Sequence, residues 1–334
     1  MTASQLSGEG VQAPSEVRDS VSRLLEPVLE QFGSWRARHA VLPDEGSVPA
    51  AIISILQDPE ALPMILGTRV AMAAWVVATD DLFDKRGTAA LEVRSIADEC
   101  CQCVQARESV VPTNPYSAAL LDFENELSQS SFWEILWPVW SQLFVLLIRG
   151  FLYEFNLGAR LRERPHSTRL PSLNRYLRFA RHSISSPWLL VSSLASSSDL
   201  SLISALARLV ALSQACGVVE RLANDLATYR REEAEFSVNA IALTRALLLR
   251  TETISDEVEA TSFAENIVRA RLTTELELVR RKARGISTRS GLEQGFLRHA
   301  EAAVRFYEHR DVRDWIAPSG GLFQGTPHLP AVNS

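Results

Sequence analysis

The sequence predicts one all-α domain between residues 18 and 316. Three observations indicate this fold class. Long segments place apolar residues at the spacing of an amphipathic helix, and the strict alternation of a half-buried strand is missing. In addition, no Asn-Gly or Asp-Gly turn joins two apolar runs. Prolines and short polar stretches separate the helical segments, so we expect about ten helices.

The predicted helices follow one another without an obvious linker in the middle of the chain. The segment from Val17 to Phe32 places its apolar residues on one stripe, although Pro27 should kink or split that helix. Residues 202–226 and 263–279 show the same helical spacing. We expect residues 1–17 to form a disordered N-terminal segment and residues 317–334, which are rich in Gly, Pro and Ser, to form a flexible tail.

Composition and charge exclude several function classes. The chain has 334 residues, with 34 Lys and Arg against 40 Asp and Glu, and its net charge of −6 gives no bulk attraction to nucleic acid or anionic membranes. The N-terminus lacks the basic and apolar regions of a secretory signal, so we expect a cytoplasmic protein. The most apolar stretch, Ile135 to Ile148, is shorter than the roughly 20 residues of a membrane span, so it predicts a buried helix.

The first acidic segment follows an apolar run at the end of a predicted helix. Asp80 and Asp84 are separated by about 40° around the helix and share a face, whereas Asp81 points about 100° away from Asp80. Carboxylate oxygens are ligands that Mg²⁺ prefers, and Mg²⁺ keeps open positions for phosphate oxygens. The alternative is a solvated helix end without a ligand.

The second segment places oxygen donors on another helix. Asn224, Thr228 and Glu232 lie at i, i+4 and i+8, so an amide, a hydroxyl and a carboxylate form one row. Arg231 lies about 20° from Asn224 on the same helical wheel and places a cation beside the row. A polar face that follows a long apolar run requires a partner, which favours a site over a solvated surface.

The second segment resembles the signature Asn-Asp-x-x-Ser/Thr-x-x-Lys/Arg-Glu of class I terpene synthases of the microbial single-domain type. Asn224, Asp225, Thr228, Arg231 and Glu232 match this signature, and Asn239 follows it as in that family. The first segment is similar to the family's aspartate-rich motif, and Asn224 follows Asp80 by 144 positions. The resemblance implies an α-helical barrel of the class I terpenoid synthase type around an apolar pocket.

The resemblance also implies the cofactor and the reaction. Asp80 and Asp84 would bind two Mg²⁺ ions, and Asn224, Thr228 and Glu232 would bind a third, with Mn²⁺ as a possible substitute. The substrate would be a linear prenyl diphosphate, with farnesyl diphosphate preferred to geranylgeranyl diphosphate. Its ionisation and cyclisation would release diphosphate and give a terpene hydrocarbon or alcohol.

By the same resemblance, an arginine about 45 residues before Asn224 would sense the diphosphate. Arg181 fits this position best, and Arg178 remains open. Ser185 would then replace the small residue, often Gly, at a helix break. By the resemblance, Arg231 would also contact the diphosphate. The family carries an adjacent Arg-Tyr pair near the C-terminus for further contacts. This chain has no adjacent pair there, and Arg313 and Tyr307 match it imperfectly.

Aromatic residues in such a pocket would stabilise cations through their ring faces. The candidates are Trp75, Phe83, Phe151, Tyr153, Trp188 and Phe306. Core packing is the alternative for each of them.

Two other functions remain open from the sequence. A prenyl-chain elongating synthase shares the fold, but that class carries a second aspartate-rich motif where this chain has Asn, Thr and Glu. A helical scaffold would bind partners without a metal. The resemblance also suggests a homodimer.

Overall fold

The computed structural model describes residues 15–84, 90–106, 110–163, 170–234 and 237–309. Within those ranges the chain forms twelve α-helices and one short 3-10 helix, η1, and no strand, which confirms the predicted all-α class. The helices are α1 (Ser15–Arg38), α2 (Ser47–Gln57), α3 (Pro63–Asp84), α4 (Ala90–Ala106), α5 (Pro115–Ser128), α6 (Trp133–Glu163), α7 (Leu173–Ser183), α8 (Ser186–Ser192), η1 (Ser193–Ser196), α9 (Ser201–Ala234), α10 (Ala240–Arg250), α11 (Glu257–Arg284) and α12 (Leu292–His309).

The ends of the predicted domain fall at the edges of these ranges. Helix α1 already begins at Ser15, three residues before the predicted boundary. The predicted tail, 317–334, and the predicted C-terminal boundary at residue 316 lie outside the described residues, as do residues 1–14 of the N-terminal segment.

Helix α1 continues past Pro27 as one helix, so the split that was one of the two expectations does not occur. A proline inside a helix costs about 3 kcal/mol. Val21, Leu24, Val28 and Phe32 are buried on one face, where α1 packs against α2 and α3. Burial of these side chains offsets the cost, because each contributes roughly 1.5–3 kcal/mol.

The two longest helices, α6 and α9, run through the core. Helix α9 packs against α7, α8, α10, α11 and α12. Both helices are long and apolar enough to cross a membrane by length and composition, and half of the apolar window in each is buried inside the fold. The stretch from Ile135 to Ile148 lies within the 31-residue helix α6, which is longer than the apolar run in the sequence indicated.

The close packing of α12 on α2 gives a test of the fold. A Cβ on Gly295 would lie 2.1 Å from the carbonyl oxygen of Gln57, whereas a Cβ on Gly33, on the exposed side of α1, meets nothing within 4 Å. We expect Gly295→Ala to lower the free energy of unfolding by about 2 kcal/mol through overpacking. Gly33→Ala should raise it by about 0.5–1 kcal/mol through helix propensity. Urea denaturation measures both, and equal effects would contradict this packing.

Candidate active site

A cavity of about 1140 Å³ lies between α2, α3, α6, α9, α12 and the turn between α7 and α8. Ligand pockets commonly measure about 300–1,000 Å³, so this cavity is large enough for a substrate of considerable size. The two predicted motifs meet here, because residues of both line its wall. The motif residues in the wall are Asp80, Asp81, Asn224, Arg231 and Glu232.

Helix α3 ends at the cavity. Asp80 and Asp81 are both exposed and both line the wall, although the sequence placed only Asp80 and Asp84 on a shared face. Asp84 is the last residue of α3, and its side chain lies outside the described part of the structure. The end of the helix therefore presents two adjacent carboxylates to the cavity.

The predicted row of oxygen donors on α9 is held together by hydrogen bonds. The Thr228 hydroxyl lies 2.8 Å from both the carbonyl oxygen of Asn224 and the Oε1 atom of Glu232. Asn239 donates from Nδ2 to the Oε2 atom of Glu232 at 3.1 Å. Glu232 is only 8% exposed, and Thr228 is buried and does not line the cavity.

This donor set fits a hard divalent cation. The Asn224 amide and the Glu232 carboxylate on α9 share the cavity wall with the carboxylates of Asp80 and Asp81 on α3, and the Thr228 hydroxyl is hydrogen-bonded to Glu232. Among the described side chains, no three His, Cys, Asp or Glu form a metal cluster. A site here therefore depends on the neutral donors Asn224 and Thr228, which suit Mg²⁺ better than zinc.

A buried ion network that the sequence did not reveal lies beside this row. Arg221 donates from Nε to Asp225 at 2.8 Å and to the Tyr176 hydroxyl at 2.6 Å, and its Nη1 lies 3.3 Å from Glu154. The Tyr176 hydroxyl also donates to Asp225 at 3.2 Å. Burial lowers the pKa of Arg221, but the charges of Asp225 and Glu154 raise it well above its usual value, so Arg221 stays charged.

Asp225 and Asn239 also fix the start of α10. The Oδ2 atom of Asp225 accepts a hydrogen bond from the backbone N–H of Ala240 at 2.8 Å. Asn239 is the N-cap of α10, and its side chain accepts from the N–H of Ala242 at 2.9 Å. Asp225 is therefore a motif residue that is completely buried and stabilises the fold.

The predicted helix break occurs at Ser185, between α7 and α8. Ser185 has a φ of 69°, in the left-handed region that a residue with a side chain seldom adopts. Ser183, Ile184 and Ser185 line the cavity. A Cβ at Gly217 of α9 would lie 2.4 Å from the carbonyl oxygen of Arg181, so the end of α7 approaches the α9 backbone closely.

The two candidate sensor arginines differ in their surroundings. Arg178 is exposed, whereas Arg181 is half-buried and donates from Nε to His182 Nε2 at 3.2 Å. Neither is among the residues that line the cavity. Arg313 lies outside the described residues.

Tyr307 lines the cavity at the metal-motif end and is hydrogen-bonded to the side chain of Asn224. Burial and then the charge of Glu220 raise the pKa of the Tyr307 phenol well above its usual value. Tyr307 is therefore a neutral hydrogen-bonding group beside the predicted ligand row.

The aromatic lining differs from the expectation. Phe83 and Phe306 line the cavity as predicted, and Phe155 and Tyr307 join them. Trp75, Phe151 and Trp188 do not line it, because their helices turn these rings into the core. The rings of Trp75 and Trp188 lie 6.0 Å apart in a cluster with Phe144, Phe151 packs against Phe83, and Tyr153 stacks on Phe179.

The cavity wall also contains polar residues that sequence reasoning missed. Gln57, Arg69, Glu220 and His299 line it, and they come from α2, α3, α9 and α12. Only Glu220 carried a usable signal, since it lies four positions before Asn224 and therefore on nearly the same helix face.

An all-α fold with two oxygen-rich helices at one cavity is typical of the class I terpenoid synthases. A family model described as terpene synthase family 2, C-terminal metal binding, matches residues 71–273, and the chain belongs to this family. A comparison with curated protein sequences gives no match.

Solved structures of terpene synthases share the fold at low sequence identity. A linalool/nerolidol synthase from Streptomyces clavuligerus, in complex with 2-fluorogeranyl diphosphate, superposes with a TM-score of 0.59 at 17% identity, covering 88% of this chain and 94% of that one. An α-eudesmol synthase gives 0.64 at 16%, covering 89% and 96%. Abietadiene synthase from Abies grandis gives 0.65 at 15%, covering 90% of this chain and 40% of that longer one.

The buried network predicts a large difference between two acidic residues of α9 that both pair with an arginine. Asp225→Asn removes the negative charge that pairs with the buried Arg221, so we expect the free energy of unfolding to fall by about 3 kcal/mol or more. Glu233→Gln breaks an ion pair with Arg245 at the surface and should cost less than about 1 kcal/mol. Chemical denaturation compares the two variants, and similar losses would contradict a structural role for Asp225.

The dependence of the free energy of unfolding on pH should contain a contribution from His182. Burial and then the charge of Arg181 lower the pKa of His182 from 6.5 to about 4. The unfolded chain therefore binds this proton first, and the free energy of unfolding falls as the pH decreases from about 6.5 to about 4. In His182→Gln this fall should be less steep. Urea denaturation at several pH values measures it, and parallel profiles would contradict the assignment.

Proposed function

We propose that the protein is a Mg²⁺-dependent terpene cyclase that ionises a linear prenyl diphosphate and closes the resulting carbocation into a ring. The observation that carries this proposal is the meeting of two motifs at one cavity. Asp80 on α3 and Asn224 and Glu232 on α9 line the same wall, and the cavity extends from them between five helices.

The ligands in this proposal are the predicted ones. Asp80 and Asp84 would hold two ions, and Asn224, Thr228 and Glu232 would hold a third. Bound Mg²⁺, or Mn²⁺ in its place, would supply the positive charge that stabilises diphosphate as the C–O bond breaks. The preformed hydrogen bonds of Thr228 and Asn239 to Glu232 support the proposal, because they orient the carboxylate before a ligand binds.

Residues of the chain would also hold the diphosphate. Arg231 and Tyr307 line the same end of the cavity and would donate hydrogen bonds to phosphate oxygens. Arg181, with Arg178 as the alternative, would contact it from the end of α7, and Arg313 from beyond α12. Arg181 is already restrained by its hydrogen bond to His182.

The cavity wall would guide the hydrocarbon part. Phe83, Phe155 and Phe306 present aromatic rings that can stabilise a cation by about 0.5–2 kcal/mol each. Enclosure between the helices would exclude bulk water, which otherwise captures carbocations at once.

Farnesyl diphosphate is the proposed substrate, and geranylgeranyl diphosphate is the second choice. The synthases that share the fold support a prenyl diphosphate substrate, including one that was solved with 2-fluorogeranyl diphosphate. The product would be a cyclic hydrocarbon or alcohol.

Product analysis tests this function. The purified protein is incubated with Mg²⁺ and, separately, geranyl, farnesyl and geranylgeranyl diphosphate, and the products are analysed by gas chromatography with mass spectrometry. We expect a cyclic product from farnesyl diphosphate that disappears with EDTA. Asp80→Asn and Asn224→Ala should each lower turnover at least about a hundredfold, since each tenfold corresponds to about 1.4 kcal/mol of lost transition-state stabilisation.

Glu233→Gln is the matched control, because this exposed carboxylate on α9 does not line the cavity and should keep wild-type turnover. A longer prenyl diphosphate formed when isopentenyl diphosphate is added would indicate an elongating synthase instead. A lack of any product, together with no change in melting temperature on addition of Mg²⁺ and pyrophosphate, would indicate a scaffold.

A further inference from the structure

The cavity wall contains polar residues besides those of the metal motifs. Arg69 precedes Asp80 by eleven residues on α3, which corresponds to about 16 Å along the helix. His299 precedes Tyr307 by eight residues on α12, or about 12 Å. Gln57 also lines the cavity, as does Glu220, which lies one helical turn before Asn224 on α9. Arg69 is paired with Asp58, so Glu220 and His299 are the polar side chains that require a separate explanation.

Glu220 is anchored through one carboxylate oxygen. Its Oε2 atom accepts hydrogen bonds from the Ser186 hydroxyl and from Nε2 of His299, the latter at 3.2 Å. In the part of the chain that the structure describes, Oε1 has no hydrogen-bond partner. The side chain is 16% exposed and lines the cavity. Glu220 thus presents an unused acceptor to the cavity on a side chain that is held in place.

The surroundings of His299 define its part in this pair. Its Nδ1 atom is buried without a hydrogen-bond partner, so a hydrogen on Nδ1 would be an unsatisfied buried donor. The arrangement therefore favours a hydrogen on Nε2, which donates to Glu220. His299 positions the carboxylate and leaves Oε1 open.

The other carboxylates of the wall are already engaged. Glu154 accepts from Ser183 at 2.7 Å and pairs with Arg221. Both oxygens of Glu232 are hydrogen-bonded, to Thr228 and Asn239. Asp80 and Asp81 lie at the end of the cavity where the proposed ions bind.

We propose that Glu220 is the base that ends the reaction, with its Oε1 atom taking up the proton that the last carbocation gives up. This inference rests on the proposed function. If the proton leaves a carbon next to the cationic centre, the C–H bond breaks, its electron pair becomes the alkene π bond, and the proton binds Oε1. If a water adds instead, a C–O bond forms, and the water loses its extra proton to Oε1. Glu220 is then the catalytic residue, and His299 and Ser186 position it.

The test compares wild type with Glu220→Gln, using farnesyl diphosphate and Mg²⁺ in ordinary water and in H₂¹⁸O. Released diphosphate and the terpene products are quantified in the same reactions. We expect the ratio of the wild-type main product to released diphosphate to fall at least about tenfold, with other products in its place. Glu233→Gln should keep the wild-type ratio. An unlabelled alkene identifies carbon as the proton source, and an ¹⁸O-labelled alcohol identifies water.

A second pair of variants separates positioning from folding. His299→Gln retains an N–H donor for Glu220 and should keep the product ratio within about twofold, whereas His299→Leu removes the donor and should lower it as Glu220→Gln does. Melting temperatures confirm that each variant is folded. A smaller amount of folded protein cannot by itself change the ratio, because the product is measured per diphosphate released.

An unchanged ratio in Glu220→Gln overturns the inference and leaves the proposed function intact. The same conclusion follows if product and diphosphate fall together, because the residue would then act before ionisation. A wild-type protein that releases no diphosphate from any of the three prenyl substrates overturns the proposed function, and the inference with it.

Discussion

The structure depends on one buried ion pair, that between Arg221 and Asp225. Asp225 is completely buried, and removing two charges from water costs several kcal/mol per ion unless the geometry is good and the remaining donors are satisfied. Here Tyr176 of α7, Glu154 of α6 and the first N–H of α10 complete the pair. Three helices must therefore meet α9 at fixed positions, and this constraint determines the shape of the cavity around it.

The same pair explains why a short segment of α9 serves both the scaffold and the site. Adjacent residues of a helix differ by about 100° in direction. Asp225 turns into the core, while its neighbour Asn224 lines the cavity, and Glu220 and Glu232 lie near Asn224 on the same side. Because Arg221 and Asp225 fix the rotation of α9 about its axis, they also fix where these cavity groups point. A variant of Asp225 could thus impair turnover without touching the substrate.

The sequence predicted those features that follow from local spacing. Helical periodicity gave the all-α class, and offsets of four residues predicted that Asn224, Thr228 and Glu232 share a face, which the hydrogen bonds of Thr228 now join. Spacing along a single helix does not say which side faces the cavity. For that reason Trp75 and Trp188 were expected in the pocket and lie in the core. The partnership of Glu220 with His299 joins residues 79 positions apart on different helices, and only their packing brings them together.

The break between α7 and α8 connects this framework to the proposed reaction. A left-handed residue with a side chain costs of order 1–3 kcal/mol and persists only where the surroundings enforce it. Ser185 is held from two sides. On one side Gly217 admits the carbonyl of Arg181 and the ring of Pro187 into close contact with α9. On the other side, Ser186, the first residue of α8, donates a hydrogen bond from its hydroxyl to Glu220. The break that places residues 183–185 at the cavity wall therefore also orients the proposed base. A change in the packing of Gly217 should consequently alter the products as well as the stability of the protein.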